Sequence, residues 1–304
     1  MRFIAKVKEL KSTFVLQLNT ATDTTTGMDK YVFYFQDENL NAEKAMRGTL
    51  KIIVGYDGIS IMALSAENEV LGLEAIQISN ERANSPYFDT RFREILAGIK
   101  LLNYKFSAVR AALSVPSVTL VPDRLFSSQA PEKYFRLLHP ANNTTMVFDQ
   151  EKITALNCHL VWGATTAFKG FVDQYQPRHL AASLINHYLE LIPEGAHAVF
   201  LNIRNCNAQI TVFHEQNLLF YNAFEFTKPT DLLYFVMLAF DQFKLNPEVV
   251  SLHVSGALLT ESEGYKILNR YIERIVFITP KSLPKLPKVA HALPVHFWFD
   301  VLSL

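Results

Sequence analysis

Two stretches of the chain carry the same pattern. Residues 50–79 read LKIIVGYDGISIMALSAENEVLGLEAIQIS, and residues 196–226 read AHAVFLNIRNCNAQITVFHEQNLLFYNAFEF. Each predicts an apolar strand, a polar turn, a second strand, a second turn and a third strand. Residues 67–71 (ENEVL) align with residues 215–219 (EQNLL) at an offset of 215 − 67 = 148. One repeat at about half the chain length predicts duplicated domains rather than a solenoid of many short units.

The two repeats predict the same order of elements, βββ-α-β, with further elements after it. The expected strands are 50–56, 59–66, 70–78 and 106–113 in the first repeat, and 198–203, 209–213, 218–226, 249–254 and 275–278 in the second. Pro86 precedes the first helix, where proline is tolerated. The helix of the second repeat, residues 232–245, is apolar nearly all round, which predicts that it is deeply buried.

Between the repeats, a polar turn is predicted at Asp149-Gln150, because apolar stretches flank it on both sides. Two strands, 145–148 and 153–161, are expected around this turn. Helices are then expected over residues 165–175 and 178–191 before the second repeat begins.

The duplication divides the chain into four predicted segments. They are an N-terminal extension or extra strands of the first domain (1–48), the first repeat (49–192), the second repeat (193–279) and a proline-rich C-terminal segment that packs back (280–304). The first segment holds two candidate strands, 14–18 and 31–35. Four prolines within residues 280–294 exclude a helix or an interior strand there, whereas the apolar residues 295–302 have to pack against the rest of the protein.

The composition is that of a globular chain. Of 304 residues, 49% are hydrophobic and 19% charged, and Lys plus Arg equal Asp plus Glu at 29 each, so no global field attracts nucleic acid. Cys158 and Cys206 form no CxxC pair and are expected to be reduced thiols. Charged residues interrupt the N-terminus, and no run reaches the roughly 20 apolar residues of a membrane span. We therefore expect a cytoplasmic protein without a membrane segment.

The repeated βββ-α-β-α unit resembles the duplicated actin, sugar-kinase and Hsp70 ATPase architecture, a mixed α/β fold of the ribonuclease-H-like type. The chain also resembles a Bacteroidetes-type family known as domain of unknown function 3822. The residues that carry this second resemblance are Leu120-Val121-Pro122, Leu125-Phe126, residues 218–224 (LLFYNAF), residues 231–235 (DLLYF) and Ser255-Gly256. The resemblance implies a fold and supplies no mechanism.

The resemblance to actin-like ATPases implies a nucleotide site between two hairpin turns, one from each domain. Such turns join glycine to a hydroxyl side chain, and an aspartate at each first strand serves the magnesium ion and the attacking water. Glycine lets backbone N–H groups approach phosphates, and magnesium needs carboxylate oxygen. The cleft residues that correspond to these roles are Asp57, Gly58, Ser60, Asn205, Asn207, Ser255 and Gly256.

These turns depart from the ATPase pattern. In the first turn, Asp57-Gly58 is also typical of an ordinary two-residue type I′ hairpin. The second turn, residues 204–208 (RNCNA), holds no glycine, and no acid occurs over residues 196–209. The third turn keeps one glycine, Gly256. Loss of one electrostatic stabiliser costs roughly a hundredfold to a thousandfold in rate, and this chain lacks more than one.

The sequence therefore predicts a non-catalytic pseudo-ATPase that acts through an unidentified protein partner, with a second copy of the chain as one candidate. No catalytic residue, metal ligand or cofactor is assigned. The alternative is an ATPase or phosphotransferase that uses ATP with magnesium through Asp57, Ser60, Asn207 and Gly256. A single undivided sheet system, or carboxylates converging on the cleft from both halves, would overturn the prediction of duplicated domains that no longer bind a metal-bound triphosphate. A nucleic-acid-associated protein is a third hypothesis, which the zero net charge disfavours.

Other catalytic motifs are missing from the sequence. The nine histidines form no HExxH motif, and the chain contains no GxSxG, GxxxxGK[ST] or GxGxxG motif. Aromatic residues alternate imperfectly over 220–226 without interleaved Lys or Arg, which favours core packing over a platform for single-stranded nucleic acid.

Overall fold

A computed structural model describes residues 30–78, 88–139, 146–192 and 196–304 of the chain. The chain first builds most of a six-stranded mixed sheet, whose strand order is β1-β4-β3-β2-β5-β9. Its elements are β1 (Lys30–Gln36), α1 (Ala42–Arg47), β2 (Thr49–Gly55), β3 (Gly58–Leu64), β4 (Val70–Gln77), α2 (Phe88–Gly98) and β5 (Ala108–Ser114). Strand β1 pairs with β4 at one edge of the sheet.

A small second sheet is inserted after β5, with the strand order β6-β8-β7. The chain then returns to the first sheet through a short strand parallel to β5. The elements of this stretch are β6 (Val118–Pro122), α3 (Pro131–Leu138), β7 (Met146–Ile153), β8 (Cys158–Thr165), α4 (Thr166–Gly170), β9 (Arg178–His179) and α5 (Leu180–Leu189). We call β1 to α5 the first half.

The second half begins after α5 and forms a five-stranded sheet with the order β12-β11-β10-β13-β14. Its elements are β10 (His197–Arg204), β11 (Asn207–His214), β12 (Asn217–Glu225), α6 (Pro229–Gln242), β13 (Leu252–Gly256), α7 (Glu263–Leu268) and β14 (Ile275–Phe277). A last helix, α8 (Phe299–Leu302), follows the proline-rich segment.

The two large sheets share one topology, which confirms the predicted duplicated α/β fold. The order β4-β3-β2-β5-β9 corresponds to β12-β11-β10-β13-β14: three antiparallel strands, then two strands that continue in parallel. The offset between the halves is not constant. Gly58 and Asn207 begin equivalent strands, and at this offset (207 − 58 = 149) Leu64 corresponds to Phe213. Their partners in the next strand, Val70 and Leu218, differ by 218 − 70 = 148. The second turn of the first repeat is therefore one residue longer.

Two predictions at the N-terminal side have different outcomes. The candidate strand over residues 31–35 lies within β1. The candidate strand over residues 14–18 lies outside the described residues. Pro86 also lies outside them, and the helix predicted to follow it is described from Phe88 onward as α2.

The prediction of a turn at Asp149-Gln150 is wrong, because β7 runs straight through both residues. The chain instead turns after Ile153, where Asn157 adopts a positive φ of 48°. Polar residues are tolerated in β7 because it is an edge strand whose acids find partners outside the sheet. Asp149 accepts from Lys169 Nζ at 2.8 Å, and Glu151 pairs with Arg178.

Helix α6 is not buried all round, contrary to the prediction from its apolar sequence. One stripe is buried, formed by Leu232, Val236, Ala239 and Phe240. On the opposite face, Tyr234 is 62% exposed and Leu238 is 43% exposed. The reason is that α6 covers one face of the second sheet. Alternate residues of β10 divide between this core and the core shared with the first half.

The C-terminal segment packs against both halves. Lys285 N donates to Asn68 O at 2.9 Å and Lys285 O accepts from Val70 N at 3.1 Å, which fixes the segment to the β3–β4 turn. All residues of α8 are buried, and α8 packs against β2 and β3 of the first half and β13 of the second. Lys51 Nζ also donates to Leu302 O at 2.9 Å. Helix α8 therefore forms a wedge between the two sheets, and this is the place where the apolar residues 299–302 pack.

Truncating this wedge should destabilise the whole protein. Phe299 is fully buried and stacks on Tyr188 of α5 at a centroid distance of 5.9 Å. We expect Phe299→Ala to lower the free energy of unfolding by about 3–5 kcal/mol, because the surrounding core cannot close the cavity. Urea denaturation measures this loss. The exposed aromatic variant Tyr234→Ala is the control and should change it by less than about 0.5 kcal/mol. Equal losses of unfolding free energy in the two variants would contradict the role of α8 as a wedge that stabilises the protein.

Candidate functional site

The first hairpin turn consists of Tyr56 and Asp57, since Gly55 pairs with Gly58 across it. The prediction of a type I′ turn centred on Asp57-Gly58 is therefore wrong. Gly58 belongs to β3, and Gly256 is the glycine with positive φ within the described ranges. A Cβ atom on Gly58 would lie 2.5 Å from Ile76 O and 2.7 Å from Asn205 Nδ2. Gly58 thus permits a close approach of the second half.

The second hairpin turn reaches back to the first. Arg204 pairs with Asn207, which leaves Asn205 and Cys206 as the turn. Asn205 has a positive φ of 50°, a conformation that Asn tolerates without glycine. Its side-chain Nδ2 donates to Asp57 O at 2.7 Å. The lack of glycine in residues 204–208 therefore does not prevent a tight turn, and this turn binds its counterpart directly.

Arg204 spans the cleft between these two turns. Its Nη1 donates to Ser60 Oγ at 3.0 Å, and its Nη2 donates to Gly58 O at 2.9 Å. Its Nε lies 3.7 Å from Asp57 Oδ1, and its side chain is 6% exposed. A guanidinium from the second half is thus held by a carbonyl, a hydroxyl and a carboxylate of the first.

The carboxylate of Asp57 is shielded from water. Neither of its oxygens is accessible or accepts a well-formed hydrogen bond from the described residues. Burial raises the pKa of Asp57 above its ordinary value, while the charge of Arg204 and the side-chain amides of Asn207 and Asn205 oppose that rise. The charge of Arg204 is therefore the main compensation for an ionised Asp57.

A second buried carboxylate, Asp300 of α8, is close enough to feel the charge of the same arginine. Asn202 Nδ2 donates to Asp300 Oδ1 and also to Ser255 Oγ, the latter at 2.9 Å. The Tyr188 hydroxyl lies 3.4 Å from Ser255 Oγ. Burial raises the pKa of Asp300 to about 6, opposed by the charge of Arg204 and the hydrogen bond from Asn202, and the charge of Asp57 adds to the rise.

As the sequence shows, no acid lies over residues 196–209, which hold β10, its turn and the start of β11. A carboxylate nevertheless lies against Asn202 of β10, and it comes from Asp300 of the C-terminal segment. The sequence signals that could have revealed the pair are weak. Asp300 is a single acid in an apolar stretch (HFWFDVL), and Arg204 is the one Lys, Arg, Asp or Glu residue of β10 (HAVFLNIR). A lone charge in such a stretch indicates a buried, paired group.

The Ser255-Gly256 turn serves packing in this structure. Gly256 has a φ of 81°, and a Cβ atom there would lie 2.1 Å from Ile203 O. Its neighbour Ala257 donates its N–H to the same oxygen at 2.7 Å. Ser255 is fully buried, and its hydroxyl accepts from Asn202. Glycine is thus required at 256 for the close contact between β13 and β10.

The structure sorts the seven predicted site residues into two groups. The first group lies across the cleft: Arg204 donates to Gly58 and Ser60, and Asn205 donates to Asp57. Asn207 begins β11 beside them, and its Oδ1 is buried. Ser255 and Gly256 lie at the end of β13 and connect to Asp300 through Asn202. Sequence reasoning assigned no role to four residues of this network, namely Tyr188, Asn202, Arg204 and Asp300. Across the described ranges, no group of three His, Cys, Asp or Glu residues is placed to hold a metal ion.

The comparison with protein families decides the identity of the chain. Residues 37–275 match the model of the family described as "Protein of unknown function (DUF3822)". The chain belongs to this family. No protein with a curated function matches the sequence significantly.

Solved structures show the fold. A protein from Bacteroides thetaiotaomicron VPI-5482, described as having an actin-like ATPase fold and unknown function, matches with a TM-score of 0.66 and 18% identity, over 79% of this chain and 93% of that one. A chain of the PilM–PilN type IV pilus biogenesis complex matches with a TM-score of 0.53 and 14% identity, over 84% and 97%. At these identities the likeness establishes an actin-like fold. In the described part of the chain, no helix is both long and apolar enough to cross a bilayer.

Removing the Arg204 guanidinium should destabilise the folded protein. We expect Arg204→Met to lower the free energy of unfolding at pH 7.5 by about 3–5 kcal/mol, because two buried carboxylates lose their counter-charge. The loss should shrink at pH 5, where protonation neutralises the carboxylates. Chemical denaturation at the two pH values measures both effects. Arg178→Met, which breaks a pair whose arginine is 59% exposed, is the control and should cost less than about 1 kcal/mol. A loss for Arg204→Met as small as the control's would contradict the buried cross-cleft contact.

Proposed function

We propose that this chain is a non-catalytic, cytoplasmic protein in which an actin-like scaffold has been retained for binding another protein. The observation that carries the proposal is the contact of Arg204 with Gly58 O and Ser60 Oγ. These groups lie at the start of β3, directly after the turn that, in an actin-like ATPase, would face the nucleotide phosphates.

The chemistry of the cleft does not fit a magnesium triphosphate. Such a ligand needs free backbone N–H groups and hydroxyls for the phosphates, and a carboxylate for the ion. Here the Ser60 hydroxyl already accepts from Arg204, and the Asp57 carboxylate lies against the same guanidinium. A divalent cation beside Asp57 would be repelled by this buried positive charge. Nucleotide entry would first require the two turns to separate and Arg204 to leave.

Two observations support protein binding: the exposed surface of the second half, and the complex formed by another protein with this fold. Tyr234 and Leu238 lie on the outward face of α6, where large apolar side chains exposed together are typical of interaction sites. The PilM–PilN chain, which has this fold, is part of a complex with another protein. We extend that mode of action to this chain as a proposal, with a second copy of the chain as one candidate partner.

One observation favours the alternative of a nucleotide-dependent ATPase or phosphotransferase. Two carboxylates come to the cleft from different segments, Asp57 from the β2–β3 turn and Asp300 from α8, and one or two carboxylates are the protein ligands that magnesium usually takes. Both depend on Arg204 for charge compensation, so we rank this alternative second. A binding measurement separates the two functions.

The first test is thermal melting with ATP and magnesium. A ligand at a hundredfold excess over its dissociation constant stabilises a protein by roughly 2.7 kcal/mol, which raises the melting temperature by several degrees. We expect no shift with millimolar Mg-ATP. A clear shift in the wild type that Asp57→Asn abolishes would replace our proposal with the alternative.

The second test concerns the partner. We expect tagged protein expressed in its native cells to co-purify with a partner that re-forms a complex from purified components at micromolar concentration. Light scattering over a concentration series measures whether that partner is a second copy. The double variant Tyr234→Ala/Leu238→Ala keeps the buried stripe of α6 and examines its outer face. A protein that stays monomeric and reconstitutes with none of the co-purified proteins would contradict the proposal.

A further inference from the structure

Three segments of the chain bring charges together at the cleft. Asp57 comes from the β2–β3 turn, Arg204 from the end of β10 and Asp300 from α8. Arg204 is 6% exposed and Asp300 is 5% exposed, and both Asp57 oxygens are inaccessible. The closed cleft therefore encloses two carboxylates and one guanidinium, which would leave one negative charge unbalanced if both acids were ionised.

The neighbours of this cluster do not supply a second counter-charge. Asp300 faces the neutral groups of Asn202 on β10, Ser255 on β13 and Tyr188 on α5. Asp57 faces the amides of Asn205 and Asn207 and the thiol of Cys206. Two further cations pack against the C-terminal segment, but both bind main-chain oxygens instead: Lys51 Nζ donates to Leu302 O, and Arg110 Nη1 donates to Leu304 O. His187 of α5 and His253 of β13 lie next to the surrounding aromatic residues, Phe299 and Phe200.

We propose that in weakly acidic solution the two halves close with the uptake of one proton, which the Asp57–Asp300 pair then shares inside the shut cleft. In an open cleft both carboxylates are hydrated and ionised. Closure removes them from water, and a single guanidinium compensates a single negative charge. The proton belongs to the coupled pair rather than to one oxygen.

The direction of the titration agrees with this inference. Burial raises the pKa of both acids, that of Asp300 from 3.8 to about 6. A carboxyl whose pKa is higher in the closed state favours closure below its ordinary pKa, and this contribution is lost as the pH rises through the raised value. The window for Asp300 thus runs from about pH 4 to about pH 6, and the cleft opens more readily at its upper end.

Hydrogen exchange tests the proposal in the purified full chain. The readout is the protection of the backbone amides of residues 204–207, corrected for the intrinsic pH dependence of exchange. For one linked proton, protection should fall by up to tenfold per pH unit between pH 4.5 and pH 6 and then level off. Asp300→Asn, which keeps an oxygen to accept from Asn202, should abolish this slope and raise protection at pH 7.

The matched control is Glu74→Gln. Glu74 is another buried carboxylate, located in β4, and burial raises its pKa to about 7. Removing its charge should alter the pH dependence of global unfolding but leave the slope at residues 204–207 unchanged. A slope that is missing in the wild type, that persists in Asp300→Asn or that disappears in Glu74→Gln would overturn the proposal.

A second measurement covers a failure of Asp300→Asn to fold. Infrared difference spectra of Glu74→Gln, which lacks the other buried carboxyl with a raised pKa, should show a protonated carboxyl C=O band at pH 5 that is lost by pH 7.5. The band should be absent from Asp57→Asn/Glu74→Gln or shifted in pH there. A Glu74→Gln band that the added Asp57→Asn substitution leaves unchanged in pH would overturn the assignment to the pair. Neither experiment contains nucleotide or partner protein, so their outcome is independent of the proposed function.

Discussion

A buried arginine that bridges the two sheets is the constraint on which the rest of this structure depends. Arg204 donates to a carbonyl and a hydroxyl of the opposite half and compensates two acids that would otherwise lie unpaired in the interior. The neighbouring features follow from that contact. Gly58 has no side chain because the opposing turn comes too close, and Asn205 adopts a left-handed conformation so that its amide can reach Asp57 O. The cleft between the two turns is therefore a polar interface within one chain.

The C-terminal segment completes this closure from the other side. After the second repeat the chain crosses to the β3–β4 turn, where Lys285 forms two main-chain hydrogen bonds, and then inserts α8 between the sheets. One continuous core extends from Phe33 in β1 to Phe213 in β11 and includes Phe299. Because the halves share this core, their relative placement is determined by apolar packing as well as by the arginine.

Local pattern predicts most of the fold and little of the site. The strands of both repeats are predictable because their signals are local: alternating or continuous apolar residues mark each strand, and the polar turn that ends it follows within about ten residues. The errors arise where partners are distant. The sequence predicts a turn at Asp149 because the partner of this residue, Lys169, belongs to another element. It predicts a fully buried α6 because sequence cannot show that one face of this apolar helix lacks a neighbour. The site is the extreme case: Arg204 meets Gly58 across 146 positions and Asn202 meets Asp300 across 98.

The arginine bridge also has an evolutionary consequence. Arg204 and the two buried acids cannot be exchanged one at a time without a loss of stability. Replacing the arginine first leaves two acids in the interior without their counter-charge, whereas replacing the acids first leaves the arginine without one, so every single substitution gives a less stable protein. A chain that carries this bridge can therefore be converted into one with an open cleft only when the arginine and the acids change together.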